Sequence, residues 1–430
     1  MLALLFFSAS LIAPTSSGRS TTQSEIVREA AENALNGRYL TAQAKLITQI
    51  AKETEPGARL PLLDALIELC IYADDAKCLA DNVDQYANDA IAVTKGADYA
   101  ARSTTVQAIY YAKAYAVFVA GPIAPYAGQI IGTMIDTPDE NPFNVPLYLK
   151  RQLLCTKLHL ELRNFQRAQL CLDKALSLIA TLEKPETSRY IVATTLTESI
   201  GLLADLGEFE RAYGIYLSVR RLPELIPSTN LDGVRYRMAE AALLERVGDP
   251  AGAKSALDSA LALLARIEIA PAVRTDFEGQ IQATRAVLCI YLGDSACATK
   301  SIREHPFHNS FEKKPRPLES APELSYLAAR AFVGVAEGKK GQDSVAKAVT
   351  TPLSFGVAGV TDEEVEAYRL VALALAGEDK GARPRRLDGA DGSARGRRRR
   401  ERRRHAPGVP GRRPGRQRRD RRRRSGVPRA

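Results

Sequence analysis

The sequence predicts an all-α fold, a solenoid of stacked antiparallel helix pairs with about eight hairpins. Three observations carry that reading. From Ser24 onward apolar residues recur every three or four positions, and strand-like alternation is nearly absent. A short corner motif repeats, in which a turn residue and a polar residue precede an Ala five positions after the start: GRYLTA at 37–42, RNFQRA at 163–168, GEFERA at 207–212, GDPAGA at 248–253 and GDSACA at 293–298. With Asp74, Gly121 and Gly338 added, the corners are spaced 37 to 47 residues apart, the length of two helices and their connections.

Taken in order, the chain begins with an apolar run, Leu2–Ala13, followed by Pro14-Thr15-Ser16-Ser17-Gly18. That run is shorter than the roughly 20 residues a membrane span needs. It matches the apolar part of a secretory leader, although no Lys or Arg precedes it and the cleavage region lacks a clean Ala-x-Ala. The expected division is therefore a signal peptide at 1–18, a solenoid at 22–378 and a tail at 379–430. Helical periodicity starts at Ser24, an N-cap residue ahead of Glu25 and Ile26. Within each hairpin the corner Ala (Ala42, Ala168, Ala212, Ala253, Ala298) is followed four positions later by Leu46, Leu172, Tyr216, Leu257 or Ile302. In the middle repeats Ala175, Val219 and Ala260 follow at seven. Positions +4 and +7 share a helix face with the Ala, so a small–large–small stripe meets the neighbouring helix.

The six cysteines fall into three local pairs, Cys70/Cys78, Cys155/Cys171 and Cys289/Cys297. The first and third share the pattern Cys-Ile-Tyr-x-x-Asp-x-x-Cys and straddle a corner, one cysteine on each helix. That arrangement suits the Cβ separation of about 3.5–4.5 Å that a disulfide requires. Closing so short a loop contributes about 2–3 kcal/mol in the chain-entropy model. The other reading is six small buried thiols. Recurrence at matched corners beside a leader-like start favours disulfides and an exported, periplasmic or extracellular protein.

Asp136–Pro146, His305–Pro322 and Thr350–Asp362 are rich in Pro and polar residues and read as loops between repeat blocks. The last periodic segment, Asp362–Ala376, ends at Gly377 without a partner helix. Residues 381–430 then carry 21 Arg and no Lys, a net charge of +17 that leaves the other 380 residues at −7. The tail reads as a disordered basic arm or as a stretch read out of frame. Nucleic-acid binding through its charge is one alternative function, weakened by the lack of aromatic residues to stack on bases.

LRNFQRAQLCLDKALSLI at 162–179 and VGDPAGAKSALDSALALL at 247–264 resemble the corner and second helix of tetratricopeptide (TPR) repeats. The resemblance covers about residues 22–377 and is strongest over 149–305. The repeats here are longer than the family's, and its Trp and Pro are largely missing. The resemblance implies a concave groove lined by the first helix of each hairpin. By position these residues are Lys150, Leu153, Lys157, Leu160 and Glu161 in one hairpin, then Arg235, Met238, Ala242, Glu245 and Arg246, then Gln280, Ala283, Val287, Ile290 and Tyr291. Lys150, Lys157, Arg235 and Arg246 make that groove basic, so the expected partner is an acidic or carboxylate-bearing peptide of another protein. Long TPR arrays behind a leader also resemble the front part of bacterial CHAT-domain proteins, which implies a caspase-like peptidase domain further along a longer chain. No His and Cys pair of that peptidase is present here. His159, on the apolar face of KLHLEL, reads as a core residue rather than a ligand. In His305-Pro306-Phe307-His308 the proline prevents a helical metal pair. No phosphate-binding Gly loop, nucleophile elbow or zinc spacing occurs, so the chain is expected to be a non-catalytic scaffold without a cofactor.

Overall fold

The computed structural model describes residues 21–120, 144–181, 189–221, 229–309 and 321–336. The leader, the Gly121 and Gly338 corners, the Asp362–Ala376 helix and the arginine tail lie outside them. The described residues contain no strand and form fourteen helices. In chain order these are α1 (Thr21–Leu35), α2 (Tyr39–Ile50), α3 (Pro56–Tyr72), α4 (Ala76–Thr94), α5 (Tyr99–Val119), α6 (Val145–Glu161) and α7 (Phe165–Thr181). They continue as α8 (Arg189–Asp205), α9 (Phe209–Arg220), α10 (Leu231–Arg246), α11 (Pro250–Leu264), α12 (Pro271–Tyr291), α13 (Ser295–Glu304) and α14 (Ala321–Ala336). Each hairpin's two helices pack together. First helices also pack on one another, α1 on α3, α3 on α5, α5 on α6, α6 on α8, α8 on α10 and α12 on α14. This is the contact pattern of an α-solenoid.

All six described corners turn the same way. Gly37, Asp74, Arg163, Gly207, Gly248 and Gly293 have φ between 53° and 83°, the left-handed conformation that ends a helix. In each, the next residue's N–H reaches back to a carbonyl five residues earlier. Arg38 bonds Asn33, Asp75 bonds Cys70, Asn164 bonds His159, Glu208 bonds Leu203, Asp249 bonds Leu244 and Asp294 bonds Cys289, all at 2.8–2.9 Å. That bond satisfies an orphan carbonyl of the first helix. The residue that makes it then caps the second, most clearly at Asp75, Asp249 and Asp294, whose carboxylates accept from the N–H groups of Cys78, Gly252 and Cys297. A left-handed residue followed by an acidic cap thus folds the chain back within two residues.

The corner alanines seal the hairpins. Ala42, Ala168, Ala212, Ala253 and Ala298 are fully buried, as are Leu46, Leu172 and Tyr216 behind them. Three disulfides tie the helices of three hairpins together, Cys70–Cys78, Cys155–Cys171 and Cys289–Cys297, with Cα separations of 5.7, 6.0 and 5.7 Å. No helix among the described residues is long and apolar enough to cross a membrane.

The array does not stay open. About 200 residues after the first hairpin, α10 and the residues joining α11 to α12 come back onto it. Glu268 N–H donates to Gly37 O at 2.7 Å, and Glu268 O accepts from Tyr39 and Leu40 N–H at 3.0 and 3.2 Å. Thr229 hydroxyl donates to Leu35 O, and Thr41 hydroxyl to the Glu268 carboxylate. The Tyr39 and Tyr72 hydroxyls accept the first N–H groups of α10, from Leu231 and Asp232, both at 3.1 Å. These N–H groups have no carbonyl partner within their own helix; Tyr39 takes that of Leu231, and Tyr72 shares that of Asp232 with the Asn230 side chain that caps α10. Tyr39 is fully buried at this seam, and burial raises its hydroxyl pKa well above the ordinary value.

Candidate functional site

The first helices converge on a polar centre organised by Asp74. Its corner is the only one of the two Cys-Ile-Tyr-x-x-Asp-x-x-Cys corners with a side chain at the left-handed position, since the sister corner has Gly293 there. The side chain is used. The Asp74 carboxylate accepts from the Tyr115 hydroxyl of α5 at 2.5 Å and from Arg235 Nη2 of α10 at 2.7 Å. The same Arg235 nitrogen donates to Tyr72 O at 2.8 Å, and the guanidinium lies over the Tyr72 and Phe277 rings at 5.3 and 5.8 Å. Burial by itself would raise the Asp74 pKa, but Arg235 and Lys157, with the hydrogen bonds from Tyr115 and Arg235, bring it below the usual carboxylate range. Burial opposes the charge of Arg235, and Asp74 more than restores it. Burial and nearby carboxylates push the Tyr111 and Tyr115 hydroxyls up, so both keep their protons at neutral pH.

Three of the expected groove cations belong to this centre. Lys150 pairs with Glu68 of α3 at 2.6 Å, and Lys157 pairs with Glu198 of α8 at 3.0 Å beneath the Tyr115 ring. The third is Arg235. All three stand on first helices, and each is half-buried and ion-paired with a carboxylate of the chain itself. The other expected residues lie away from the centre. Arg246 stacks over Phe209 at 4.9 Å, Tyr291 is exposed with its edge on Phe332 at 5.7 Å, and Glu161 and Gln280 are exposed at helix ends or faces.

Two surface features escaped sequence reading. A cleft of about 520 Å³ beside the seam is lined by Asp74, Asp75, Asp81 and Asp276 against Lys77, with Ile47, Val119 and Pro271 as apolar wall. Burial, then the charge of Asp74, raises the pKa of Asp276. The second feature is on α5, where Tyr99, Val106, Tyr110 and Val117 are 74%, 43%, 40% and 45% exposed. Spacings of seven, four and seven put them on one line along the helix, opposite buried Ala108 and Ala112. The Lys113–Asp84 ion pair at 2.8 Å joins α5 to α4, on which Ile91 is also exposed. The period was readable in the sequence; the exposure of these residues was not. Compared with known proteins, the chain matches no protein-family model and no curated protein.

Proposed function

We propose that this is a non-catalytic, exported, TPR-like scaffold that holds a protein partner on its outer surface. The observation that carries this reading is the exposed line of Tyr99, Val106, Tyr110 and Val117 on α5. Contiguous apolar residues rimmed by polar ones mark protein-binding faces, and tyrosines are favoured there because they cover area at low entropic cost. The cleft, whose wall includes Val119 at the end of α5, also presents Asp81 and Asp276 beside the Arg235-paired Asp74 and the capping Asp75, which favours a partner with a cationic side chain. Three disulfides support the exported reading, since such bonds persist in oxidising compartments. The paired cations of the first helices belong to the scaffold's own polar centre.

Site-specific photo-crosslinking in cells that express the chain tests this. A crosslinker at Val106 or Tyr110 is expected to trap a discrete protein adduct, and one at exposed Ser255 on α11 is not. The double variant Val106→Glu/Tyr110→Glu is expected to abolish an adduct formed from Tyr99. Adducts formed equally from Ser255, or none from α5, would refute the reading.

A further inference from the structure

The Cys155–Cys171 disulfide differs from the other two. Those straddle their corners four residues either side, whereas Cys155 and Cys171 lie eight residues from the Arg163 corner, inside the α6–α7 hairpin. Among the described residues only this pair forms such a group with an imidazole. One donor atom from each of Cys155, His159 and Cys171 lies within 4.8 Å of the other two. Cys155 and His159 are four apart on α6 and share a face, and Cys171 approaches from α7. Three positions ahead of Cys155, on the same side of α6, stands Gln152. Its amide oxygen is buried without a hydrogen-bond partner among the described residues. Both cysteines are buried, and half-buried His159 is the member through which an ion would enter.

We propose that in its dithiol form this hairpin holds one Zn²⁺ on Cys155, Cys171 and His159, with Gln152 supplying a fourth, oxygen donor. The redox step balances. A dithiol reductant gives two electrons and two protons to the Cys155–Cys171 bond, leaving two thiols here and a disulfide on the reductant. Zinc then displaces the two thiol protons and binds two thiolates and the neutral imidazole. Sulfur and nitrogen donors of this kind are the usual zinc set. Charge decides between zinc and monovalent copper. Two thiolates neutralise Zn²⁺ but leave Cu⁺ with a buried net negative charge, which burial disfavours. Either chemistry staples α6 to α7, so the hairpin stays tied in reducing and in oxidising surroundings.

The test uses the full chain reduced with a phosphine, freed of reductant without air, and alkylated with and without one equivalent of Zn²⁺, each cysteine being read by peptide mass spectrometry. Zinc is expected to slow alkylation of Cys155 and Cys171 at least tenfold and to leave Cys70, Cys78, Cys289 and Cys297 unchanged. Co²⁺ in place of zinc is expected to give the near-ultraviolet thiolate charge-transfer band. H159Q is expected to lose both signals while its oxidised form keeps the wild-type helical circular dichroism. Should H159Q not fold, Q152L provides the second variant and is expected to weaken zinc at least tenfold. Equal effects on all three cysteine pairs, no effect on any, or a Cys155–Cys171 bond that resists the phosphine after the other two have opened would each overturn the proposal.

Discussion

At the scale of single residues, Asp74 and His305 make opposite bargains with burial. Asp74 occupies a left-handed corner, which costs a side-chain-bearing residue about 1–2 kcal/mol relative to Gly, and its bonds to Arg235 and Tyr115 offset that cost. Asn tolerates the same backbone and removes only the charge. Asp74→Asn is therefore expected to lower stability by about 1–2 kcal/mol, because it removes the nearer anion of the half-buried Arg235 and leaves it the more distant Asp232 carboxylate at 3.7 Å. Urea unfolding measures this, and a change under about 0.5 kcal/mol would mean that the pair is idle. The folded-state pKa of Asp74 is depressed, so its contribution is complete above the ordinary carboxylate value and fades only as pH falls below it. His305 behaves differently. Its ring is 2% exposed and packed on Tyr326 at 4.7 Å, and burial, assisted by His308 and opposed by the Gly279 backbone, brings its pKa to about 4. A depressed base contributes fully above its unfolded value of 6.5 and destabilises as pH falls from there towards about 4. The loss amounts to about 3 kcal/mol when complete. Amide protection factors over α12–α14, corrected for the intrinsic pH dependence of exchange, are expected to fall between pH 6.5 and 4 in the wild type and to stay constant in His305→Leu.

At the scale of elements, the hairpins were legible because everything that makes them is local. A left-handed residue, the capping Asp or Asn that follows it at four of the six described corners, and the Ala five positions on at five of them are all within one short stretch, so the corners stand where the sequence places them. Asp74 and Arg163 were readable as corners even without Gly because the polar cap follows each of them, Asp75 and Asn164. Cysteine pairing was legible for the same reason. The Ala positions make a direct test of the packing claim. Ala253 is fully buried where α11 meets α10, while Ser255, two residues on, is exposed. Ala253→Leu is expected to cost about 1–3 kcal/mol by overpacking, and Ser255→Leu within about 0.5 kcal/mol of nothing. Equal thermal-unfolding midpoints for the two variants would mean that the hairpins do not depend on close approach at the corner.

At the scale of the whole array, the closure between the first hairpin and α10 was not legible. Lys150 and Glu68 are 82 residues apart, and Tyr39 and Leu231 are 192 apart. Nothing in a local window marks such pairs, and a family groove implied from helix positions cannot say which cations the chain itself will neutralise. The closure nevertheless has a sensitive point. A Cβ at Gly37 would stand 2.6 Å from Thr229 O and 3.2 Å from Ile267 Cγ1, both across the seam, whereas one at Gly248 would meet nothing within 4 Å. Both glycines have φ near 80°, so Ala at either pays the same backbone cost of about 1–2 kcal/mol. Any further loss in Gly37→Ala must come from displacing the seam. That variant is expected to be the less stable of the two, and to lose amide-exchange protection at Leu231 and Asp232, whose N–H groups are bound by Tyr39 and Tyr72. Gly248→Ala is expected to keep that protection. If both variants protect these amides equally, the close approach at Gly37 is not what holds the seam between the first hairpin and α10.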